Sequence, residues 1–281
     1  MGSGPAPFQL GKVRRDSAAE QATGPGRTRR PIAGASMIFP NVRTSFGRAE
    51  AGLVIGLLTQ GEDSCARERE EERLREEGFD SLLDDPRTLN VVMTAGGLAT
   101  VPPQLVFYLL VRHALLEQGF GDRTVADYLA ALLLAYGRGR RAFQVEEGDP
   151  AELRYLVDHV EALSTAQGRR AFLLEAHLGE LALWLSGLFP DWIEHRRNRR
   201  GAPGLSYYEE LGSTGYRRAA EHRDAESHGV DRVYRSCAAN FPVLRLALNR
   251  LSDRHLFPGA GSVDRLLRQV RDDFHPPRPP S

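Results

Sequence analysis

Lysine occurs once in this chain, at Lys12, isoleucine four times and cysteine twice. Each shortage excludes something. Arginine carries almost all of the positive charge, and it is balanced by an equal number of acids, 37 against 37. No net field therefore draws the chain towards nucleic acid or anionic lipid. The arginine bias is read as the mark of a GC-rich bacterial genome. Isoleucine is confined to Ile32, Ile38, Ile55 and Ile193 while leucine and alanine dominate, which is the reverse of a strand-rich composition. Two cysteines, Cys65 and Cys237, cannot build a disulfide framework or a metal knuckle, and both suit a reducing cytoplasm.

Long apolar runs are also missing. The best, Leu181 to Phe189, is about half of the roughly 18 residues that a spanning helix requires. The first thirty residues contain no apolar core of a secretory signal, and neither Arg14-Arg15 nor Arg29-Arg30 precedes one. A cytoplasmic protein without a membrane segment is the expectation. Missing motifs narrow the chemistry in the same way. There is no G-x-x-x-x-G-K-[ST] loop, no strand-linked G-x-G-x-x-G and no G-x-S-x-G elbow. No Glu has a His three positions later, and H-E-x-x-H is absent, so neither the di-iron bundle nor the zincin pattern is present. No cofactor and no metal are expected.

What remains reads as all-α, a single multi-helix bundle-like domain with a disordered N-terminal tail. Residues 1–40 are rich in Gly, Pro, Ala, Ser and Arg and offer too little apolar surface to offset the entropy of ordering. Met37 is an alternative translation start. A helical domain over 41–274 follows, and a proline-rich tail over 275–281 ends the chain. Hydrophobic periodicity and stop signals place helices near 46–60, 63–77, 86–98, 102–118, 124–138, 150–166, 169–198, 206–227, 230–256 and 262–273. Asp85-Pro86 and Asp149-Pro150 read as helix starts, as do Thr124 with Asp127 and Ser206 with Glu209. Pro190 and Pro242 are expected to kink or split their helices.

The stretch Phe172 to Phe189 is close to apolar on every side, yet it carries Glu175, His177 and Glu180. Ionisable groups inside such a helix need a partner or a role. One reading is a polar pocket in the core. Glu180 would be a desolvated carboxylate with His177 one turn away and Trp184 on the same side, joined by Tyr208 or Tyr216 from the following helix. The other reading is structural: the two carboxylates bond to arginines of adjacent helices and His177 is a satisfied core histidine. Gly179 lacks a side chain and leaves room for a neighbouring helix. Tyr128, Tyr136, Tyr155, Phe172 and Trp192 are taken as core.

Three charged segments stand apart. Ala66 to Glu77 is charged almost throughout, with i,i+4 pairs contributing about 0.2–0.5 kcal/mol each, and reads as a solvated arm or a partner surface. The run EHRDAESH over 221–228 places histidines and carboxylates at i,i+4 but sits at a helix end, where such residues complement the dipole. Arg196, Arg197, Arg199 and Arg200 form a candidate surface for an anion or an acidic partner. Nucleic acid is disfavoured there, because overall neutrality leaves little counterion release to drive binding.

The runs FYLLVRHALLEQG from Phe107, DYLAALLLAYGRG from Asp127, EAHLGELALWLSGLFPDWI from Glu175, YYEELGSTGY from Tyr207 and ALNRLSDRHLF from Ala247 resemble a family of bacterial helical proteins with no assigned function. The resemblance spans Phe79 to Phe257, implies a helical fold and carries no catalytic residue. The leading expectation is a scaffold or regulatory protein acting through protein contacts. The alternative is an enzyme or small-ligand binder using Glu175, His177 and Glu180.

Overall fold

The computed structural model describes residues 37–137, 140–146, 149 and 152–259, together with Arg265, Leu266, Arg268, Gln269 and Asp272. Thirteen α-helices and no strand occur among the described residues. They are α1 (Arg48–Leu58), α2 (Ser64–Glu77), α3 (Phe79–Leu83), α4 (Pro86–Thr94), α5 (Pro103–Leu116), α6 (Arg123–Tyr136), α7 (Leu156–Leu163), α8 (Gly168–Leu188), α9 (Pro190–Arg200), α10 (Leu205–Glu221), α11 (Arg223–His228), α12 (Asp231–Ala239) and α13 (Phe241–Leu251). A π-helical turn, Ser252–Leu256, follows α13. The all-α architecture is thus as the composition requires. The first 36 residues and the proline-rich tail lie outside the described residues. Met37 and Ile38, assigned above to the tail, are buried in the core.

The axis of the molecule is α8. All of its residues from Phe172 to Leu188 are buried, because α7, α10 and α13 lie against it and α6, α9 and α11 touch it. By length and mean hydropathy α8 could cross a membrane, yet its apolar surface is taken up by these neighbours. Its closest partner is α10. The reason is a set of small residues. A Cβ on Gly215 would lie 2.7 Å from the Glu175 carbonyl oxygen and 2.9 Å from the Gly179 nitrogen. A Cβ on Gly212 would lie 2.8 Å from Ala182, and one on Gly179 would enter the Tyr216 ring at 2.7 Å. The close approach anticipated at Gly179 is therefore made by Tyr216.

Breaks between helices are sharper than periodicity suggests. Pro190 splits the expected 169–198 helix and becomes the first residue of α9. Pro242 has the same effect after Asn240, with Phe241 and Pro242 opening α13. His222 interrupts 206–227 with an extended backbone. Three starts need correction, and one short helix is added. Asp122, not Thr124, caps α6, accepting from Thr124 N and Val125 N, while Asp127 accepts from Arg43 N at 2.7 Å. Asp149 caps no helix there; it receives Glu146 N and Arg170, and α7 begins only after Tyr155. Ser206 lies inside α10, whose cap is Gly204. Phe79–Leu83, read as a connection, is a short helix with Leu82 and Leu83 fully buried.

Asp85 caps α4 as expected, and it also anchors the charged arm. Its carboxylate accepts from Arg87 N at 2.8 Å, from Arg73 at 2.7 Å and from the Arg87 guanidinium at 2.7 Å. Burial on its own would raise its pKa, but the hydrogen bonds from Arg87 and Arg73 outweigh that and hold it well below the usual carboxylate range. Arg73 and Glu70 thus tie one edge of α2 to α4, and the opposite edge faces solvent. Replacing Asp85 with Ala removes a cap and leaves Arg73 and the largely exposed Arg87 without the buried carboxylate they share. A loss of about 2 kcal/mol is expected, read from urea midpoints, and it should fade in acid as the wild-type carboxylate is protonated.

Candidate functional site

Glu175, His177 and Glu180 leave the central helix towards three different environments. Glu180, 3% exposed, faces α6 and α10. The Tyr128 hydroxyl donates to its Oε1 at 3.0 Å and the Tyr136 hydroxyl to its Oε2 at 2.9 Å. Tyr128 also reaches the Tyr216 hydroxyl at 3.3 Å, and its ring meets those of Tyr216 and Tyr234 edge-on. The result is a carboxylate enclosed by phenols. Burial, with Glu180 nearby, pushes the Tyr128 hydroxyl well above the ordinary tyrosine range; burial does the same to Tyr216 and Tyr234. All three hold their protons, and it is Tyr128, with Tyr136, that donates to the carboxylate. Trp184 lies one turn on, stacked edge-to-face with Tyr136, Phe143 and Phe189, and is packing.

His177 faces α7. Its Nδ1 lies 2.6 Å from Nε2 of His159, and the two rings stack with centroids 4.9 Å apart. His159 Nδ1 lies 3.1 Å from the Tyr155 carbonyl, which can only accept, so His159 donates there. Its Nε2 then accepts from His177 Nδ1–H. This arrangement requires a neutral His159, and burial indeed lowers its pKa from the usual 6.5 to about 4, against the Tyr155 carbonyl and Asp158, which favour the charged form. The pair fastens α7 to α8.

A folded-state pKa below the unfolded value means that unfolding takes up a proton between the two. The stability contributed by His159 is complete above pH 6.5 and is lost as the pH falls towards 4, up to about 3 kcal/mol in all. His113, buried against the Leu83 carbonyl, is lowered too, so the wild type carries both contributions. His159→Gln should therefore show a smaller difference in urea midpoint between about pH 7 and about pH 4.5 than the wild type does.

Glu175 faces the α10–α11 junction. His222 Nε2 lies 2.9 Å from its Oε2, and burial raises the Glu175 pKa while His222 opposes the rise. The backbone break at His222 is what turns the imidazole inward. An open cleft of about 470 Å³ lies over this pair, lined also by Arg218, Glu221 and Arg223. Because His222 is outside both helices, it cannot share a helical face with Glu226. His228 meanwhile binds the Asp224 carbonyl with Nδ1 at 2.6 Å. Among the described residues no group of three or more His, Cys, Asp or Glu side chains is arranged to hold a metal ion.

The six residues proposed for one core pocket are therefore not brought together. Glu180 and Tyr216 share the phenol cluster, His177 and Trp184 flank Tyr136, Glu175 has its own histidine, and Tyr208 belongs elsewhere. Tyr208 lines a second groove of about 470 Å³ with Tyr155, Leu156, Val157, Ile193, Pro203 and Tyr207. Arg196 forms part of the same wall, its guanidinium 4.7 Å over the Trp192 ring and 5.5 Å over the Tyr155 ring. Tyr155 is 39% exposed, not core as expected, and Val157 and Val160 beside it are exposed as well. The rest of the arginine run closes α9, which ends at Gly201 in the left-handed conformation with its N–H on the Arg197 carbonyl. Arg197 packs along Gly204 and approaches Glu194 at 3.7 Å, while Arg199 and Arg200 are exposed.

His159, Tyr128, Tyr136 and Tyr234 carry no functional signal in the sequence, and His222 stands out there only through its i,i+4 spacing to Glu226, not as the partner of Glu175. A pairing rule for buried acids, in which each must meet a donor, would have pointed to the tyrosines of the α6 run. No family model, curated protein or solved structure matches the chain.

Proposed function

We propose that this chain is a cytoplasmic helical scaffold or regulatory protein that acts by holding a partner protein, and that its contact face is the groove between α7, α9 and α10. The observation that carries this reading is the clustering of exposed apolar surface. Tyr155, Val157 and Val160 are three of the four large hydrophobic residues exposed among the described residues, and all three lie on or beside α7. Surface hydrophobics gathered around a concavity mark interaction sites more often than scattered ones do. The Tyr207–Tyr208 corner and Trp192 add the rigid aromatic surface typical of interface anchors. A photo-crosslinking residue at Val157 or Val160 should yield a defined protein adduct in cells, and one at the exposed Arg232 of α12 should not. Absence of an adduct, or equal adducts from both faces, would remove the reading.

A second reading, binding of a small anion, is favoured by one specific arrangement: the Glu175–His222 pair beneath an open cleft flanked by Arg218 and Arg223. Neither arginine forms an ion pair among the described residues. Chemical-shift changes of the His222 ring on adding inorganic phosphate, lost in Arg218→Ser, would support it; an unresponsive ring would exclude it.

A further inference from the structure

We infer that the segment received by the α7–α9–α10 groove is an acidic peptide that inserts an apolar or aromatic side chain between Tyr155 and Tyr208 and sets its carboxylates against Arg196, Arg199 and Arg200. The inference rests on the binding role proposed above and assigns the chemistry of the partner. The floor of the groove is apolar, with Leu156 and Ile193 buried beneath Val157, Pro203 and the tyrosines. Such a floor selects a hydrophobic anchor and has nothing with which to satisfy a buried charge.

Along α9 the character is opposite, with Arg196 in the groove's wall and Arg199 and Arg200 three and four residues further on, one helical turn away. Of the four arginines in the run, Arg197 alone has a carboxylate within ion-pair distance among the described residues, Glu194 at 3.7 Å. Arg196 rests its guanidinium over the Trp192 and Tyr155 rings, 4.7 and 5.5 Å from their centroids, contacts that hold the cation in place without neutralising its charge. Arg199 and Arg200 project from the last turn of α9 with no partner among the described residues. A guanidinium held against two rings beside an uncompensated pair of cations matches a carboxylate in charge, and guanidinium donors suit its two oxygens. Most of the chain's other arginine-rich surface is neutralised internally, as the Asp85 cluster and the i,i+4 pairs of α2 illustrate. The excess at the end of α9 is a local departure from a chain whose total charge is zero.

Two other polyanions are less well suited. A bilayer favours a continuous apolar face, whereas here the exposed Tyr155, Val157 and Val160 border a concavity in which Leu156, Ile193 and Tyr208 lie recessed. A nucleic-acid backbone needs cations spaced along a track, whereas these are gathered at one helix end.

Selection of a displayed library of short random peptides on the full chain tests the assignment. Enriched sequences should carry two or more Asp or Glu beside Phe, Trp or Leu. A synthetic peptide of that consensus should lose affinity at least about tenfold with Arg199→Glu and Arg200→Glu together, and about tenfold again in high salt. Val157→Asp should also weaken it, and Arg232→Ser should not. Both paired arginines are exposed, so their replacement leaves the core untouched, and circular dichroism checks this. The inference is overturned if the library yields no binder, if enriched peptides lack acids, or if their binding ignores the arginine and valine variants. It is likewise overturned if vesicles of phosphatidylcholine doped with phosphatidylserine, or a single-stranded oligonucleotide, bind in an Arg199/Arg200-dependent way while peptides do not. A crosslinked protein at Val157 combined with any of these failures leaves the binding role standing and removes only the acidic partner. Absence of the crosslink removes the role itself.

Discussion

Replacing Gly215 with alanine should destabilise the protein by about 3–4 kcal/mol, more than most substitutions of a single methyl group. The new Cβ would sit 2.7 Å from the carbonyl oxygen of Glu175 and 2.9 Å from the nitrogen of Gly179. These are backbone atoms of α8, and α8 is held by helices on several sides, so relief requires α10 to move away. Such a shift would draw Tyr216 off Gly179 and loosen Phe241 over Gly212 at the same time. Valine at 215 should prevent folding altogether. Gly52 of α1 provides the control: nothing lies within 4 Å of its added Cβ, and alanine there should be neutral or stabilising by about 0.5–1 kcal/mol through helix propensity alone. Urea titration of both variants measures the contrast. Equal midpoints for Gly215→Ala and wild type would mean that the crossing of α8 and α10 is looser than described.

Glu180→Ala should be at least as damaging, at about 3–5 kcal/mol. Removing the carboxylate strips the Tyr128 and Tyr136 hydroxyls of their acceptor in a region without water access and opens a void beside Tyr216. Tyr136→Phe removes one donor and leaves Tyr128 in place, and should cost only about 1–2 kcal/mol. The order of these two effects identifies the role of the cluster. A carboxylate kept for catalysis would be expendable for stability, and Glu180→Ala would then match Tyr136→Phe or improve on the wild type. The order expected here makes Glu180 the hub that fixes the mutual positions of α6, α8 and α10.

Much of the helical framework could be read from residue order, because its signals are local. Asp85 before Pro86, Gly201 after an arginine-rich turn, and Pro190 after Phe189 act within one turn of the backbone, and each lies where expected. The misplaced boundaries have non-local causes. Nothing near His222 announces a break; the backbone turns there so that the imidazole can reach Glu175, 47 residues earlier. Asp127 fits a capping box in sequence, but Asp122 has the better position for the first N–H groups and Asp127 is engaged by Arg43, 84 residues away.

The site was legible only in part for the same reason. The oddity of Glu175, His177 and Glu180 in an apolar helix is visible at once, and all three are indeed buried. Their spacing, however, spreads them around the helix, and each partner comes from a different element: His222, His159 and the tyrosines of α6. Tyr155 misleads differently. A tyrosine satisfies either a core or an interface, and its exposure was decided by the late start of α7, which leaves it in the preceding extended segment.

The oily spine of the molecule has a consequence for its life in the cell. With α8 long and apolar enough to pass for a membrane segment by length and hydropathy, an opening of the surrounding helices would bare an apolar stretch of the kind on which partly unfolded chains associate. The phenol-ringed acid and the glycine crossing, which lock the neighbours onto that spine, double as safeguards against aggregation.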